Sequence, residues 1–141
     1  MSPEKGKRRS RRQSKPSGSG TAPIADSGPP YEVLWHPDAD GERAAVSDPA
    51  ERVAIQHARE KLEALGPKLA PPHSSAVKGE EGVGLRELRP RAGRSRWRPI
   101  YSRVKPRVFV ILAVAPEAQI DKRAFDKSIR HAKRRLDGLE I

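Results

Sequence analysis

The sequence predicts a small α+β domain in which a four-stranded, antiparallel-rich sheet carries helices on one face. Two segments repeat apolar residues every three or four positions, which indicates amphipathic helices. Four shorter segments indicate strands: three show an alternating pattern, and the fourth is an almost unbroken apolar run. The segments follow one another in the order β-α-β-β-β-α, and two helices are enough to cover one face of such a sheet.

The composition indicates a basic protein of one domain. The chain has 141 residues, a formal net charge of +11 and a sequence pI of about 10.5. This charge predicts a polyanionic partner, such as nucleic acid, an acidic protein or an anionic membrane. There is no cysteine and the four histidines are scattered, so we expect no disulfide, no metal and no small-molecule cofactor. No apolar run approaches the roughly 18 residues of a membrane span, so we expect a cytoplasmic protein without a membrane partner.

Residues 1–30 are predicted to form a disordered basic tail. Ser, Gly, Pro, Lys and Arg dominate this stretch, and they bury too little apolar surface to offset the chain entropy lost on folding. The run KGKRRSRRQSK fits either a nucleic-acid-binding arm or a solvated leader. The predicted domain therefore covers residues 31–141.

The first half of the domain predicts a strand, a turn and a helix. In YEVLWHP, Tyr31, Val33 and Trp35 fall on one side of an extended chain, which indicates a short strand. The polar segment DADGERAAVSDP indicates a turn. At its end, Asp48 and Pro49 are suited to the cap and the first position of a helix. The apolar side of that helix is formed by Ile55, Ala58, Leu62 and Leu65, and Gly66-Pro67 ends it.

The second half predicts three strands and a final helix. The Pro- and Gly-rich segment KLAPPHSSAVKGEEGVG is predicted to be a loop. GLRELRPR and RWRPIYSRV each show the alternating pattern of a strand, and the turn AGRS lies between them. Pro99 indicates a bulge or a free edge in the second strand. RVFVILAVA is apolar at nearly every position, which is typical of a central strand covered on both faces. Residues 121–139 form a basic helix whose apolar stripe is Phe125, Ile129, Ala132, Leu136 and Leu139.

A row of arginines marks the predicted functional surface. Residues 84–103 contain seven arginines, one acid and no lysine. Projected from neighbouring strands, the arginines would line the uncovered sheet face and bind phosphates through their planar guanidinium groups. Interleaved Trp97 and Tyr101 would stack on unpaired bases. The residues predicted to contact RNA or phosphate are Arg86, Arg94, Arg96, Trp97, Arg103, Lys78, Lys122 and Arg123.

The order and spacing of these segments resemble the RelE/ParE toxin superfamily, and most of all its HigB-like, phage-derived branch. The resemblance is carried by GLRELR, a glycine-containing turn, WRPIYSR, VFVILAVA and a basic helix ending in HAKRRL. The upstream LGPKLAPPHS and VKG segments add to it, so it covers about residues 31–139. It implies a type II toxin that a small antitoxin neutralises, normally a helix-turn-helix protein. RelE- and HigB-like members cleave mRNA on the ribosome, whereas ParE-like members poison DNA gyrase.

The resemblance also suggests catalytic residues. Metal-free RNA cleavage needs a base for the 2′-OH, cations for the phosphorane and an acid for the leaving oxygen. Arg98 and Arg89 fall on basic strand positions of the superfamily, and Arg98 would stabilise the phosphate. Tyr101 matches a family aromatic but equally fits a core residue. His73 has a suitable ordinary pKa for proton transfer.

Two positions depart from the better-known nucleases of the superfamily. Glu117 stands where those proteins have a basic residue, and Phe125 replaces their C-terminal tyrosine. Glu87 is a further candidate base, although carboxylates among arginines are expected to be strongly ionised. The leading hypothesis is therefore a ribosome-dependent mRNA endonuclease. The alternatives are a ParE-like gyrase inhibitor and a non-catalytic nucleic-acid-binding protein.

Overall fold

The computed structural model describes residues 28–140 as a five-stranded mixed sheet with three α-helices. The strands lie in the order β1-β5-β4-β3-β2, and only β1 and β5 are parallel. No helix of the described part is long and apolar enough to cross a membrane. The predicted tail lies outside the described residues apart from residues 28–30. The strands are β1 Glu32–Trp35, β2 Ser74–Ala76, β3 Arg86–Leu88, β4 Trp97–Lys105 and β5 Val108–Pro116, and the helices are α1 Pro37–Ala44, α2 Pro49–Leu65 and α3 Lys122–Asp137.

The strongest sequence patterns are confirmed. The Asp48 carboxylate accepts a hydrogen bond of 2.9 Å from the Ala50 amide, so it caps α2 as expected. Gly66 ends that helix with a φ of 54°, and a Cβ there would lie 2.5 Å from the Tyr31 ring. The predicted bulge in β4 follows Pro99, where the register with β5 shifts between Ile100 and Tyr101.

The segment predicted as a turn before α2 contains a helix instead. Pro37 occupies the first turn of α1, and the His36 ring accepts a hydrogen bond from the Asp38 amide. Tertiary contacts then hold this short helix. The Glu42 carboxylate accepts a 2.9 Å hydrogen bond from the Val114 amide of β5, and it forms a 2.9 Å ion pair with Arg135 of α3. Polar composition alone gave no signal for it because its stabilisation is mostly long-range.

The predicted count of four strands is also wrong. Within the segment predicted as a loop, Ser74–Ala76 forms β2 and pairs antiparallel with β3, Ser74 lying opposite Leu88. A three-residue strand without apolar alternation leaves no readable pattern in sequence. Its extended conformation is stabilised by pairing with β3, which tertiary structure supplies.

The helices cover both faces of the sheet, not one. On one face, Ala58 and Leu62 of α2 share a core with Tyr101, Phe109 and Ile111. On the other, α3 packs against Ile100, Val110 and Leu112 through Phe125, Ile129 and Ala132. The apolar character of β5 on both sides already required two covered faces. No broad sheet face is therefore left open for a row of arginines.

Most of the arginines lie instead on a loop between β3 and β4, residues 89–96, which we call the arginine loop. β3 ends at Leu88, so the predicted strand GLRELRPR is shorter than expected. Arg91 and Ala92 both adopt left-handed backbone conformations, with φ values of 58° and 56°. Such conformations are costly for residues with a Cβ and concentrate at functional sites.

Replacing Ala92 with glycine is expected to raise the free energy of unfolding by about 1 kcal/mol. Glycine adopts a positive φ without the Cβ clash that costs alanine roughly 1–2 kcal/mol. Glycine also gives the unfolded chain more conformational entropy, which offsets part of this stabilisation. Chemical denaturation measures the change. The matched substitution Ala64→Gly, within α2, should have the opposite sign, because glycine costs about 1 kcal/mol in a helix. If both variants lost the same free energy of unfolding, the left-handed conformation of Ala92 would be contradicted.

Candidate nucleic-acid interface

The larger of two clefts that contain predicted site residues lies on the face covered by α3, and we call it the α3-face cleft. It has a volume of 620 Å³ and lies among β2, β3, β4 and the first turns of α3. Four predicted site residues line it: Lys78, Arg89, Arg98 and Lys122. Phe125 closes one side of it, with 8% of its surface exposed.

Arg98 lies at the base of this cleft and is 1% exposed. Its terminal nitrogens donate to the carbonyls of Ser95, Trp97 at 3.0 Å and Gly93 at 3.2 Å, and to Glu117 Oε2 at 2.7 Å. Its Nε lies 3.3 Å from Glu87 Oε1. A guanidinium has five N–H donors, and the four on its terminal nitrogens are hydrogen-bonded to protein oxygens, while Nε is within ion-pair distance of Glu87. Arg98 therefore organises the cleft, and its terminal donors are occupied by the protein.

The surroundings of Glu87 suit a general base better than the sequence suggested. Its carboxylate lies 3.5 Å from Arg89 as well as 3.3 Å from Arg98. Burial nevertheless raises the pKa of Glu87 above its ordinary value, because desolvation outweighs the lowering by Arg89 and Arg98. Burial therefore opposes the effect of the two arginines on Glu87, which the sequence alone did not reveal.

The cleft as a whole is not strongly cationic. Its four basic residues face five acids, which are Glu80, Glu81, Glu87, Glu117 and Asp126. Lys122 forms a 2.9 Å ion pair with Asp126, whereas Lys78 forms no ion pair with the described residues. Among residues 28–140, no group of three His, Asp or Glu side chains is arranged to hold a metal ion. Cations that attract a polyanion must therefore come from the border of the cleft.

The arginine loop supplies those cations. Arg89, Arg91, Arg94 and Arg96 are all at least partly exposed within eight residues of chain. Arg91 has a carboxylate partner, Glu51 at 3.7 Å, while Arg94 and Arg96 have none among the described residues. The guanidinium of Arg96 lies 6.0 Å from the Trp97 ring centre, beside the half-buried indole. The loop thus combines free guanidinium groups with an aromatic side chain.

Other predicted residues lie away from the α3-face cleft. Tyr101 is 2% exposed and shares a 2.7 Å hydrogen bond with Ser74, which also accepts a bond from Arg86 at 3.1 Å. Arg103 contacts the Phe109 ring and donates to the Pro106 carbonyl near the β4–β5 turn. Arg123 is exposed on α3. The expectation that Tyr101 stacks on bases conflicts with its burial, which makes it a core residue.

His73 lies in a second concavity, which we call the α2-face pocket. It has a volume of 420 Å³ between α2, the segment after it and the arginine loop. Its charged or titratable lining residues are His57, Glu60, Lys61, His73, Arg89 and Arg91. His57 and Lys61 were not predicted, although their spacing of four positions on a helix places them side by side. Arg89 lines both the pocket and the cleft.

Comparison with known proteins identifies one family. The model of the family described as Phage derived protein Gp49-like (DUF891) matches residues 45–137. This span contains α2, β2 to β5 and α3. It therefore includes the α3-face cleft, the α2-face pocket and the arginine loop. No curated protein and no solved structure gives a significant match.

Proposed function

Because the chain belongs to the Gp49-like family of phage-derived proteins, which is associated with toxin–antitoxin systems and related to RelE/ParE-type toxins, we propose that it is the toxin of such a pair. In this proposal it is a ribosome-dependent mRNA endonuclease acting in the cytoplasm. Residues 31–141 form the toxin domain. A small antitoxin, of the helix-turn-helix type, neutralises it.

The observation that carries the proposal is that the backbone of the arginine loop adjoins the α3-face cleft: Arg98 donates to the carbonyls of Gly93 and Ser95, and the Glu117 amide donates to the Arg96 carbonyl. Arg94 and Arg96 have no carboxylate partner among the described residues, and Arg89 projects into the cleft itself. Guanidinium groups bind phosphate through paired hydrogen bonds, and the adjacent Trp97 offers a stacking surface. A single strand of RNA crossing the loop would bring a phosphate to the mouth of the cleft.

Glu87 is the best-placed base in that cleft. A 2′-OH attack requires a group that accepts its proton, and a carboxylate with a raised pKa is better suited to this than an ordinary one. Lys78, Arg89 and Lys122 would balance the charge of the phosphorane. Arg98 is then a positioning residue, because it holds Glu87 and Glu117 and its terminal N–H donors are occupied by protein oxygens. The ribosome orients the mRNA in this mechanism. As the P–O5′ bond breaks, the Lys78 ammonium, which lines the same cleft, donates a proton to the leaving 5′-oxygen.

The test is controlled induction in a bacterial host, followed by mapping of transcript 5′ ends. We expect cuts within translated regions that disappear when translation initiation is blocked, with 2′,3′-cyclic or 3′-phosphate ends. The double variant Arg94→Gln/Arg96→Gln should reduce cutting at least about tenfold, since two phosphate contacts are lost. The matched variant Lys68→Gln/Lys105→Gln removes the same charge outside both concavities and should cut normally. Intact transcripts at toxic expression levels would reject the nuclease proposal.

One observation favours a second candidate, a ParE-like gyrase inhibitor. Arg98 occupies a position that the superfamily resemblance links to phosphate binding, yet its four terminal N–H donors are directed at protein oxygens. A gyrase inhibitor needs no RNA phosphate in this cleft. It would leave transcripts intact, change plasmid supercoiling and induce the DNA-damage response, so the same induced cultures distinguish the two candidates.

A further inference from the structure

We infer that the α2-face pocket is a second nucleotide subsite, which holds one nucleotide of a single-stranded RNA whose chain passes Arg89 into the α3-face cleft. The inference rests on the proposed function, because it assumes that RNA is the polyanion bound by this surface. It adds a binding site on the opposite face of the sheet and assigns roles to His57, Lys61 and His73.

The lining of the pocket matches the two chemical parts of a nucleotide. Its floor consists of the buried apolar residues Ala54, Ala58, Leu69 and Pro90. The small side chains at positions 54 and 58 leave a concavity beside the helix, which a flat base can enter. A volume of 420 Å³ lies within the range of small-molecule sites.

The border of the pocket carries donors for a phosphate. Lys61, Arg89 and Arg91 are cationic, and Glu60 is the one acid among the lining residues. Lys61 Nζ lies 3.4 Å from His73 Nδ1. If the ammonium donates to that nitrogen, the neutral imidazole carries its proton on Nε2 and keeps it available as a donor. In contrast to the α3-face cleft, cations here outnumber acids.

Arg89 connects the pocket with the cleft. It stands at the end of β3, where its side chain lines both concavities. Gly93 lies close to it: the φ of Gly93 is 92°, which favours glycine, and a Cβ there would lie 3.3 Å from Arg89 Nη2. The side chain of Arg89 is 35% exposed, and its one carboxylate partner within residues 28–140 is Glu87 at 3.5 Å. A phosphate bound at Arg89 would therefore lie between a nucleotide in the pocket and the phosphate next to Glu87.

The four histidines provide a direct test by NMR of their imidazole signals in the full chain. His57 and His73 line the pocket, whereas His36 lies at the start of α1 and His131 on α3. We expect a short uridine oligoribonucleotide to shift the signals of His57 and His73 and to leave those of His36 and His131 in place. Lys61→Gln should weaken this binding at least about tenfold, whereas Lys68→Gln, outside the pocket, should leave it unchanged.

Each other result overturns the inference. Unmoved signals, or a shift confined to His131, would put the RNA elsewhere. A shift produced by a glutamate-rich peptide but not by the oligonucleotide would make the pocket a protein-docking site. If inorganic phosphate shifts the signals as strongly as the oligonucleotide does, the pocket binds an anion and does not bind a nucleobase. Transcript mapping is independent of this readout: cut transcripts with unmoved histidines reject only the subsite, and intact transcripts with shifted histidines reject only the nuclease.

Discussion

Replacing Arg98 with alanine is expected to lower the free energy of unfolding by about 3–5 kcal/mol, because it leaves the largely buried Glu117 without a cation among the described residues and leaves Glu87 with Arg89 alone. Glu87 and Glu117 lie 3.3 Å and 2.7 Å from the guanidinium, and their side chains are 13% and 24% exposed. Three backbone carbonyls also lose a donor. Loss of toxicity in this variant would therefore report unfolding as well as any chemistry. Chemical denaturation of the purified protein measures the effect.

Two comparisons separate ion pairing from general damage. Arg94→Ala removes an exposed arginine without an ion pair and should change the free energy of unfolding by less than about 0.5 kcal/mol. The triple variant Arg98→Met/Glu87→Gln/Glu117→Gln removes all three charges and should recover much of the loss, as replacement of buried ion pairs often does. A triple variant no more stable than Arg98→Ala would contradict the electrostatic explanation.

The Arg98→Ala defect should also depend on pH. Burial already raises the pKa of Glu87, and loss of Arg98 removes a charge that lowers it, so the pKa rises further. A carboxyl whose pKa is higher in the folded than in the unfolded protein binds its proton more tightly when folded. The penalty is therefore full above the folded pKa and declines as the pH falls through it. A stability difference between variant and parent that grows on mild acidification would contradict this.

The Phe125→Ala variant is expected to lose about 3–5 kcal/mol of unfolding free energy, since the ring is 8% exposed and packs in the core beneath α3. Phe125→Leu keeps an apolar side chain at the site and should lose less. Thermal and chemical denaturation of the two variants measures the difference. Because Phe125 also lines the α3-face cleft, a small stability loss with a large loss of toxicity would make it a base-stacking residue.

Helices and strands that are determined by residues close together in sequence could be predicted. Those that depend on contacts between distant segments could not. The cap at Asp48, the stop at Gly66 and the apolar run of β5 contain their own physical explanation, and all three are confirmed. By contrast, α1 depends on Glu42 reaching Val114. β2 depends on pairing with β3, and neither contact leaves a periodic trace in sequence.

The candidate site was predicted in part for the same reason. A cluster of arginines is visible in sequence, but whether each one is free or paired depends on acids from distant segments. Arg98 is neutralised by Glu117, whereas Arg94 and Arg96 have no such partner among the described residues. His57 was not predicted, because the pocket that it lines is formed by three separate segments.

The parallel pairing of β1 with β5 affects the order of events during synthesis. β4 and β5 are joined by a tight turn, and local contacts of this kind form quickly. Val33, in contrast, meets its neighbour Phe109 only after β5 has been made, although β1 is the first strand to leave the ribosome. α3, made last, must then cover the second face of the sheet. A ribosome that makes this protein therefore encounters its completed fold only after α3 has been synthesised.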